Sequence, residues 1–344
     1  MSMSLHGRVV MLQRVAALGL ASFALSTATA QAAPRLEAIR ARGVVTCGVT
    51  PRVAGFSQVD RNGNYSGFDV DICRAVAAAI FGAPDRVRYV QASSIREFLA
   101  SSDIDIVSRR LTWTMEREAL GVLFGPIMFF DGQGFLVPRS LGIKHPAQVT
   151  GGVCVEAGSA NQTNLEAYIR KNAPAVKIVA FDGLEQGRGA FDRSRCAAYS
   201  ADITMLGAIR SSLPHPQDFE ILSEQISKEP LAQLVRNDDP IFFGILRWTI
   251  FALIQAEELG VTSANVEGML KSGSADIQYL LGVAPGSGRG FGLDDRWAYN
   301  VIKGVGNYGE MFERNVGQRS AIKLARGLNS LWTAGGLIFA PPLR

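Results

Sequence analysis

Ile104-Asp-Ile-Val-Ser-Arg-Arg-Leu-Thr-Trp-Thr-Met-Glu-Arg-Glu118 begins as a mostly apolar run and ends in polar residues. Ile104 to Val107 reads as a buried strand that stops at Arg109-Arg110. Thr114 is a good N-cap, because its hydroxyl accepts from amides one turn on, and Glu116 favours a helix start. Arg117 falls about one turn into that helix and can point back towards the strand's end. In α/β folds ligands gather at the carboxyl ends of strands. Here that end collects backbone amides, the Thr112 and Thr114 hydroxyls and the Arg117 guanidinium. The set suits a carboxylate: Arg offers paired donors in a plane, and the amides add neutral ones. The plainer alternative is an ordinary strand-to-helix turn with Arg117 in a surface ion pair.

Outward from this stretch, strands and helices alternate. Val44–Val49 reads as a strand. The loop Thr50-Pro-Arg-Val-Ala-Gly-Phe56 is too apolar to face only solvent, so Phe56 is either core or a cleft wall. Asp60-Arg-Asn-Gly-Asn64 is a hairpin tip, with Asn-Gly supplying positive φ. Asp69 is expected to cap the next helix, with Asp71 in its first turn. Phe68, Ile72, Val76 and Ile80 form one apolar face. Val87–Val90 is a strand and Ser94–Ala100 a helix. The pattern predicts a sheet with helices on both faces. Ile127–Val137 is extended but broken by Asp131-Gly-Gln-Gly134, as suits a strand passing from one domain to another.

The alternation restarts at Val153–Glu156. Gly158-Ser159-Ala160 then opens a helix, and such a turn is an anion-binding element. Cys196–Ser200 is a strand, and Asp202 starts the helix after it, as a cap or as something more. Glu229–Val235 is an extended segment that can cross back. Asp239–Ala256, Thr262–Leu270, Trp297–Arg314 and Ala321–Leu331 are expected to be helical. Gly286-Ser-Gly-Arg-Gly-Phe-Gly292 is not a phosphate loop, since no strand precedes it and no Gly-Lys-Ser/Thr follows.

The N-terminus reads as a secretory leader over 1–32. Arg8 and Arg14 precede the apolar run Val15 to Leu25, and Ala-x-Ala cleavage options lie after Ala30 and Ala32. Losing those two arginines and no acid lowers the formal charge from +4 to +2, which argues against nucleic acid as a partner. The remaining ~310 residues exceed one usual core, so two domains are expected. Export permits disulfides among Cys47, Cys73, Cys154 and Cys196. Three pairings are open. Cys47–Cys73 with Cys154–Cys196 keeps each bridge local, one per domain. No metal site, cofactor or catalytic constellation is expected: no Cys-x-x-Cys, Gly-x-Ser-x-Gly or His-Glu-x-x-His occurs.

Gly67-Phe-Asp-Val-Asp-Ile72 and the small, aliphatic helix positions after it resemble the family-3 solute-binding proteins of polar amino-acid ABC transporters. Similar motifs cover nearly the whole mature chain: Val45-Thr-Cys-Gly-Val49, Leu111-Thr-Trp-Thr114, Phe130-Asp-Gly-Gln-Gly-Phe135, Ile226-Ser-Lys-Glu-Pro-Leu231, Val305-Gly-Asn-Tyr-Gly309, Phe312-Glu-Arg-Asn315 and Ala325-Arg-Gly-Leu-Asn329. They look like the general L-amino-acid-binding subgroup. The resemblance implies an α/β, two-lobed periplasmic-binding-protein-like fold of type II, with lobes joined by two crossing strands. Lobe 1 would be 33–132 with 234–344, and lobe 2 would be 133–233. It implies a periplasmic, non-enzymatic monomer that traps a free L-amino acid and delivers it to an ABC permease in the inner membrane. Its carboxylate-binding Arg falls on Arg117, with Thr112 as a further donor. The turn residue beside the amine falls on Arg110, and the aromatic wall on Phe56. In lobe 2 the carboxylate turn falls on Gly158, Ser159 and Ala160, and the α-ammonium's Asp on Asp202. The family's bridge pattern supports the two local disulfides.

Two departures stand out. Ala160 lacks the hydroxyl that the family's second Thr offers, and Arg110-Leu111 replaces a pair that is usually polar and neutral. These departures leave open a ligand sensor or a degenerate binder. An enzyme on this scaffold, akin to cyclohexadienyl dehydratases, would need an added acid in the cleft. Arg110 adds positive charge to the cleft, so acidic side chains such as glutamate or aspartate should bind better than cationic ones. Lysine or arginine binding tighter than glutamate in a calorimetric comparison would sink that expectation.

Overall fold

A computed structural model of the protein describes residues 34–51, 53–92, 94–172 and 176–343; the leader expected over 1–32 lies outside them. β-rich segments and amphipathic helices sort into two sheets with covered faces. The first sheet runs, in spatial order, Val87–Gln91, Val45–Val49, Ile106–Thr112, Glu229–Arg236 and Val122–Phe124, and Phe129–Asp131 also pairs with Glu229–Arg236. Its first three strands are parallel, as strand–helix alternation requires. Side chains alternate across it: Ile106 joins the core formed with the helices Phe68–Phe81, Pro240–Glu258 and Trp297–Val305, whereas Val107 and Leu111 meet Ile95 and Phe98 on the other face.

The second sheet runs Lys177–Phe181, Gly152–Glu156, Ala198–Asp202, Gln133–Pro138 and Phe219–Ile221. Leu165 and Ile169 of the helix Ala160–Asn172 cover one face. Phe191, Leu206 and Ile209, from the helices Leu184–Asp192 and Ile203–Ser212, cover the other. These are two lobes, each with its own core.

The chain passes between sheets at Gly132, which separates Phe129–Asp131 from Gln133–Pro138. A Cβ at Gly132 would lie 2.6 Å from the Ser227 carbonyl oxygen on the returning segment, so the two crossings run too close together for a side chain there. The return precedes Glu229, because Glu229–Arg236 pairs with the first sheet from its first residue. That is earlier than the 233/234 limit drawn from sequence. A third connection runs from the C-terminal segment. Arg210 of the second lobe donates to the carbonyls of Ile322 (2.7 Å) and Lys323 (2.9 Å), and Ile322 packs against Gly207.

Several local expectations change. Asp69 is not a cap: the helix starts at Phe68 after Gly67 at φ 134°, where a Cβ would strike the Phe56 backbone, and Asp69 turns inward. Trp297–Arg314 is two helices. Gly306 at φ 78° ends Trp297–Val305, and an Asn307–Glu310 capping box starts Tyr308–Asn315. Residues 321–331 form no α-helix, since Lys323 takes φ 51° and carbonyls of the segment are held by Arg210. Within 262–270 only Val266–Met269 is helical.

Cys47–Cys73 ties a strand of the first sheet to the helix Phe68–Phe81, and Cys154–Cys196 ties two segments of the second lobe. They close 26 and 42 residues of sequence separation respectively. By loop-closure entropy each constrains the unfolded chain by about 3–4 kcal/mol. Replacing both Cys154 and Cys196 by Ala should lower the urea-unfolding free energy of the oxidised protein by that order.

Candidate functional site

The strand Ile106–Thr112 carries the site, and its backbone is irregular where the arginines begin. Its pairing with Glu229–Arg236 joins Leu111 to Ala232 but Val107 to Leu234, so a bulge lies over 108–110. Arg110 takes φ 57° within it. Bulges re-aim side chains at sheet ends. Arg110 here reaches the second lobe: its Nη1 donates to Thr204 Oγ1 at 3.2 Å, and its guanidinium lies 5.5 Å from the centre of the Phe56 ring. Arg109 donates to Thr50 Oγ1 at 3.3 Å.

The helix after the strand forms as its cap dictates. Thr114 Oγ1 accepts from the Arg117 amide, and Met115–Glu118 makes one turn. Arg117 folds back so that Nη1 donates to the Thr112 carbonyl at 2.7 Å. Thr112 Oγ1 donates to Glu229 Oε2 at 3.1 Å. Burial, and then the positive charges of Arg117 and Arg110, lower the pKa of Arg109. Three guanidiniums therefore share one neighbourhood, which is a setting for an anion.

Acids face them. Asp202 ends the strand Ala198–Asp202 and stands at the N-cap position of Ile203–Ser212, yet its side chain makes no cap bond. It bonds instead with the Asn161 side chain. Burial first, and then the charge of Glu229, raises its pKa. Asp131, the last residue before the crossing, accepts from the Gly132 amide (2.9 Å) and from Thr204 Oγ1 (2.6 Å). Burial, with the Asp202 charge adding to it, pushes its pKa up to about 7. Asp69 accepts from Ser108 Oγ at 3.0 Å. Burial raises its pKa to about 6 against the pull of the Arg110 charge. The guanidiniums of the first lobe thus stand among carboxylates of that lobe (Asp69), of the crossing (Asp131) and of the second lobe (Asp202), a setting with partners for both charges of a zwitterion.

The family model for bacterial extracellular solute-binding proteins, family 3, matches residues 45–277. The chain belongs to this family. The general L-amino acid-binding periplasmic protein AapJ of Rhizobium johnstonii is 45% identical over 335 residues, covering 96% of this chain and 98% of that one. The glutamate/glutamine/aspartate/asparagine-binding protein BztA of Rhodobacter capsulatus is 40% identical, covering 97% and 100%. Among solved structures, an ABC transporter periplasmic binding protein from Brucella ovis with glutathione bound matches at 43% identity. Its TM-score is 0.80, and the match covers 91% of this chain and 100% of that one.

Within this family-3 fold, the residues singled out from sequence separate into two groups. Thr112 donates to Glu229 and its carbonyl accepts from Arg117, while the charges of Glu229 and Arg110 both act on Asp202. Phe56 lies beneath Arg110 but is buried in the core with Phe68 and Phe129, 6.1 and 5.8 Å away between ring centres. Thr114 is exposed and serves as a cap. Ser159 keeps its hydrogen bonds within its own turn, donating to the Glu156 carbonyl and accepting from the Gln162 amide. Ala160 is exposed beside it. Asp69, Asp131, Thr204 and Glu229 were not foreseen as site residues. The one sequence signal for Asp131 was a polar break in an apolar strand.

The raised pKa of Asp131 fixes a sign. A carboxyl that holds its proton more tightly when folded stabilises the fold below the unfolded pKa of about 4 and loses that contribution as pH rises towards about 7. Asp131→Asn removes the titration and keeps an acceptor. Its melting temperature relative to wild type should therefore climb steadily between pH 4 and 7, read by scanning calorimetry. A pH-independent difference would assign the raised pKa wrongly.

Proposed function

We propose that this chain is the periplasmic amino-acid-binding component of an ABC importer. In this reading its lobes close on a free L-amino acid and present the closed form to a permease in the inner membrane. The observation that carries the reading is that two opposite candidate anchors stand on different lobes, Arg117 on the first and Asp202 on the second. Arg117 and Thr112 hold the α-carboxylate, helped by the amides at Ser159 and Ala160. Asp202 holds the α-ammonium, and Phe56 floors the site under Arg110. Thr114 sets the turn that aims Arg117. Both anchors belong to the part common to all amino acids, so a broad range follows, in keeping with the names of the relatives. Because the anchors lie on different lobes, ligand favours the closed state by differential affinity. The first lobe comprises 34–132 with 229–343, and the second 133–228. A leader over 1–32 is removed on export, and the mature protein acts as a monomer without a cofactor and without enzymatic turnover.

A second reading follows from the Brucella ovis structure. Glutathione ends in a γ-glutamyl group that carries a free α-carboxylate and α-ammonium, which the same clamp accepts. A thermal-shift panel of the twenty amino acids and glutathione, with prephenate turnover measured beside it, distinguishes the readings. Broad stabilisation by amino acids supports the binder, silence leaves a degenerate protein, and turnover makes it an enzyme. Removing one partner of a buried charge pair costs roughly 3–5 kcal/mol. Arg117→Ala should accordingly weaken amino-acid binding by more than about a hundredfold in calorimetric titration. A loss below about fivefold would refute its assignment.

A further inference from the structure

We propose that Arg110 is a built-in occupant of the subsite for the ligand's α-ammonium, and that its guanidinium latches the two lobes together until a ligand displaces it. This rests on the amino-acid reading above, with Asp202 as the ammonium's partner. The backbone gives the first indication. Arg110 holds φ 57° in a bulge of Ile106–Thr112. Residues other than Gly adopt that region rarely, and Asn and Asp do so more readily than Arg. A conformation of this kind persists where the surroundings hold it, and such positions cluster at ligand clamps and switches.

The surroundings here come from both lobes. From the first lobe, the Phe56 ring lies 5.5 Å from the guanidinium. From the second, Thr204 Oγ1 accepts its hydrogen bond at 3.2 Å and donates one to Asp131 at 2.6 Å. The positive charge of Arg110 also acts on Asp69, Asp131 and Asp202, favouring the charged form of each. A cation set among carboxylates of both lobes is what the α-ammonium of a bound amino acid would be. A ligand ammonium paired with Asp202 would draw on the same carboxylates that now act on the guanidinium, so Arg110 has to give way to it. Ligand and latch then compete, and the apparent affinity falls by the fraction of molecules that are unlatched.

The latch is tested on the ligand-free protein first. Arg110→Asn and Arg110→Gly both accept the backbone conformation and remove the guanidinium. Thr204→Val removes its partner and leaves the backbone at 110 unchanged. Small-angle scattering should show a larger radius of gyration for all three than for wild type. A single cooperative melt in each separates hinge opening from unfolding. Saturating glutamine should return the Arg110 variants to the compact form, and they should bind glutamine about tenfold tighter than wild type does. Radii equal to wild type in all the variants overturn the latch. If the radii are equal and glutamine still binds, the latch is wrong and the amino-acid reading stands. If the variants expand but no amino acid binds any form, Arg110 still ties the lobes together, but its place in an ammonium subsite is overturned with the amino-acid reading.

Discussion

Charge taken out of water must be paired, neutralised or surrounded by dipoles, and this protein places three carboxylates where its two sheets meet. Asp69, Asp131 and Asp202 come from a helix, a crossing strand and the end of a second-lobe strand. None sits in a surface ion pair. Asp69 takes a hydroxyl from Ser108, Asp131 takes a hydroxyl and an amide, and Asp202 takes the Asn161 side chain. All three have raised pKa values because burial outweighs those bonds. The placement of the lobes, the aim of Arg110 and the sign of the cleft all answer to that requirement.

The lobes are coupled at few points, and each point has a clear physical basis. Gly132 lets the outgoing strand pass the returning one without a side chain between them. Asp131 holds the amide and hydroxyl of Thr204, so the first turn of a second-lobe helix is fastened to the last residue of a first-lobe strand. Arg210 holds two carbonyls of the C-terminal segment. Between these points lies the cleft, whose walls are strand ends. Arg110 reaches from the first lobe to Thr204 of the second there, and carboxylates of both lobes act on its charge.

Much of this was legible in the sequence. In the turn from Ile104 to Glu118 the Thr114 cap and the backward-aimed Arg117 were legible. The strand expected over Ile104–Val107 with a stop at Arg109-Arg110 runs instead over Ile106–Thr112, because pairing with Glu229–Arg236 carries it through a bulge at the arginines. Local rules govern such a turn: burial of an apolar run, a hydroxyl that caps, and one helical rotation. The two disulfides were likewise local. Where sequence misled, long-range contacts had replaced a local preference. Asp69 has the residue type of a cap, but Gly67 starts the helix and packing turns Asp69 inward. Residues 321–331 have helical composition, but they lie across the second lobe and give carbonyls to Arg210.

The sequence alone determined the alternation of strands and helices, the pairing of apolar faces and the residue types at the strand ends, because those depend on neighbours a few positions apart. The tertiary structure alone decided which acids surround Arg110. Asp69, Asp131 and Asp202 are separated along the chain by tens of residues, and only the docking of two sheets brings their fields onto one guanidinium. A pattern read along one dimension carries no distance across a cleft, and the strength of a charge's interactions depends on that distance and on the water excluded from it.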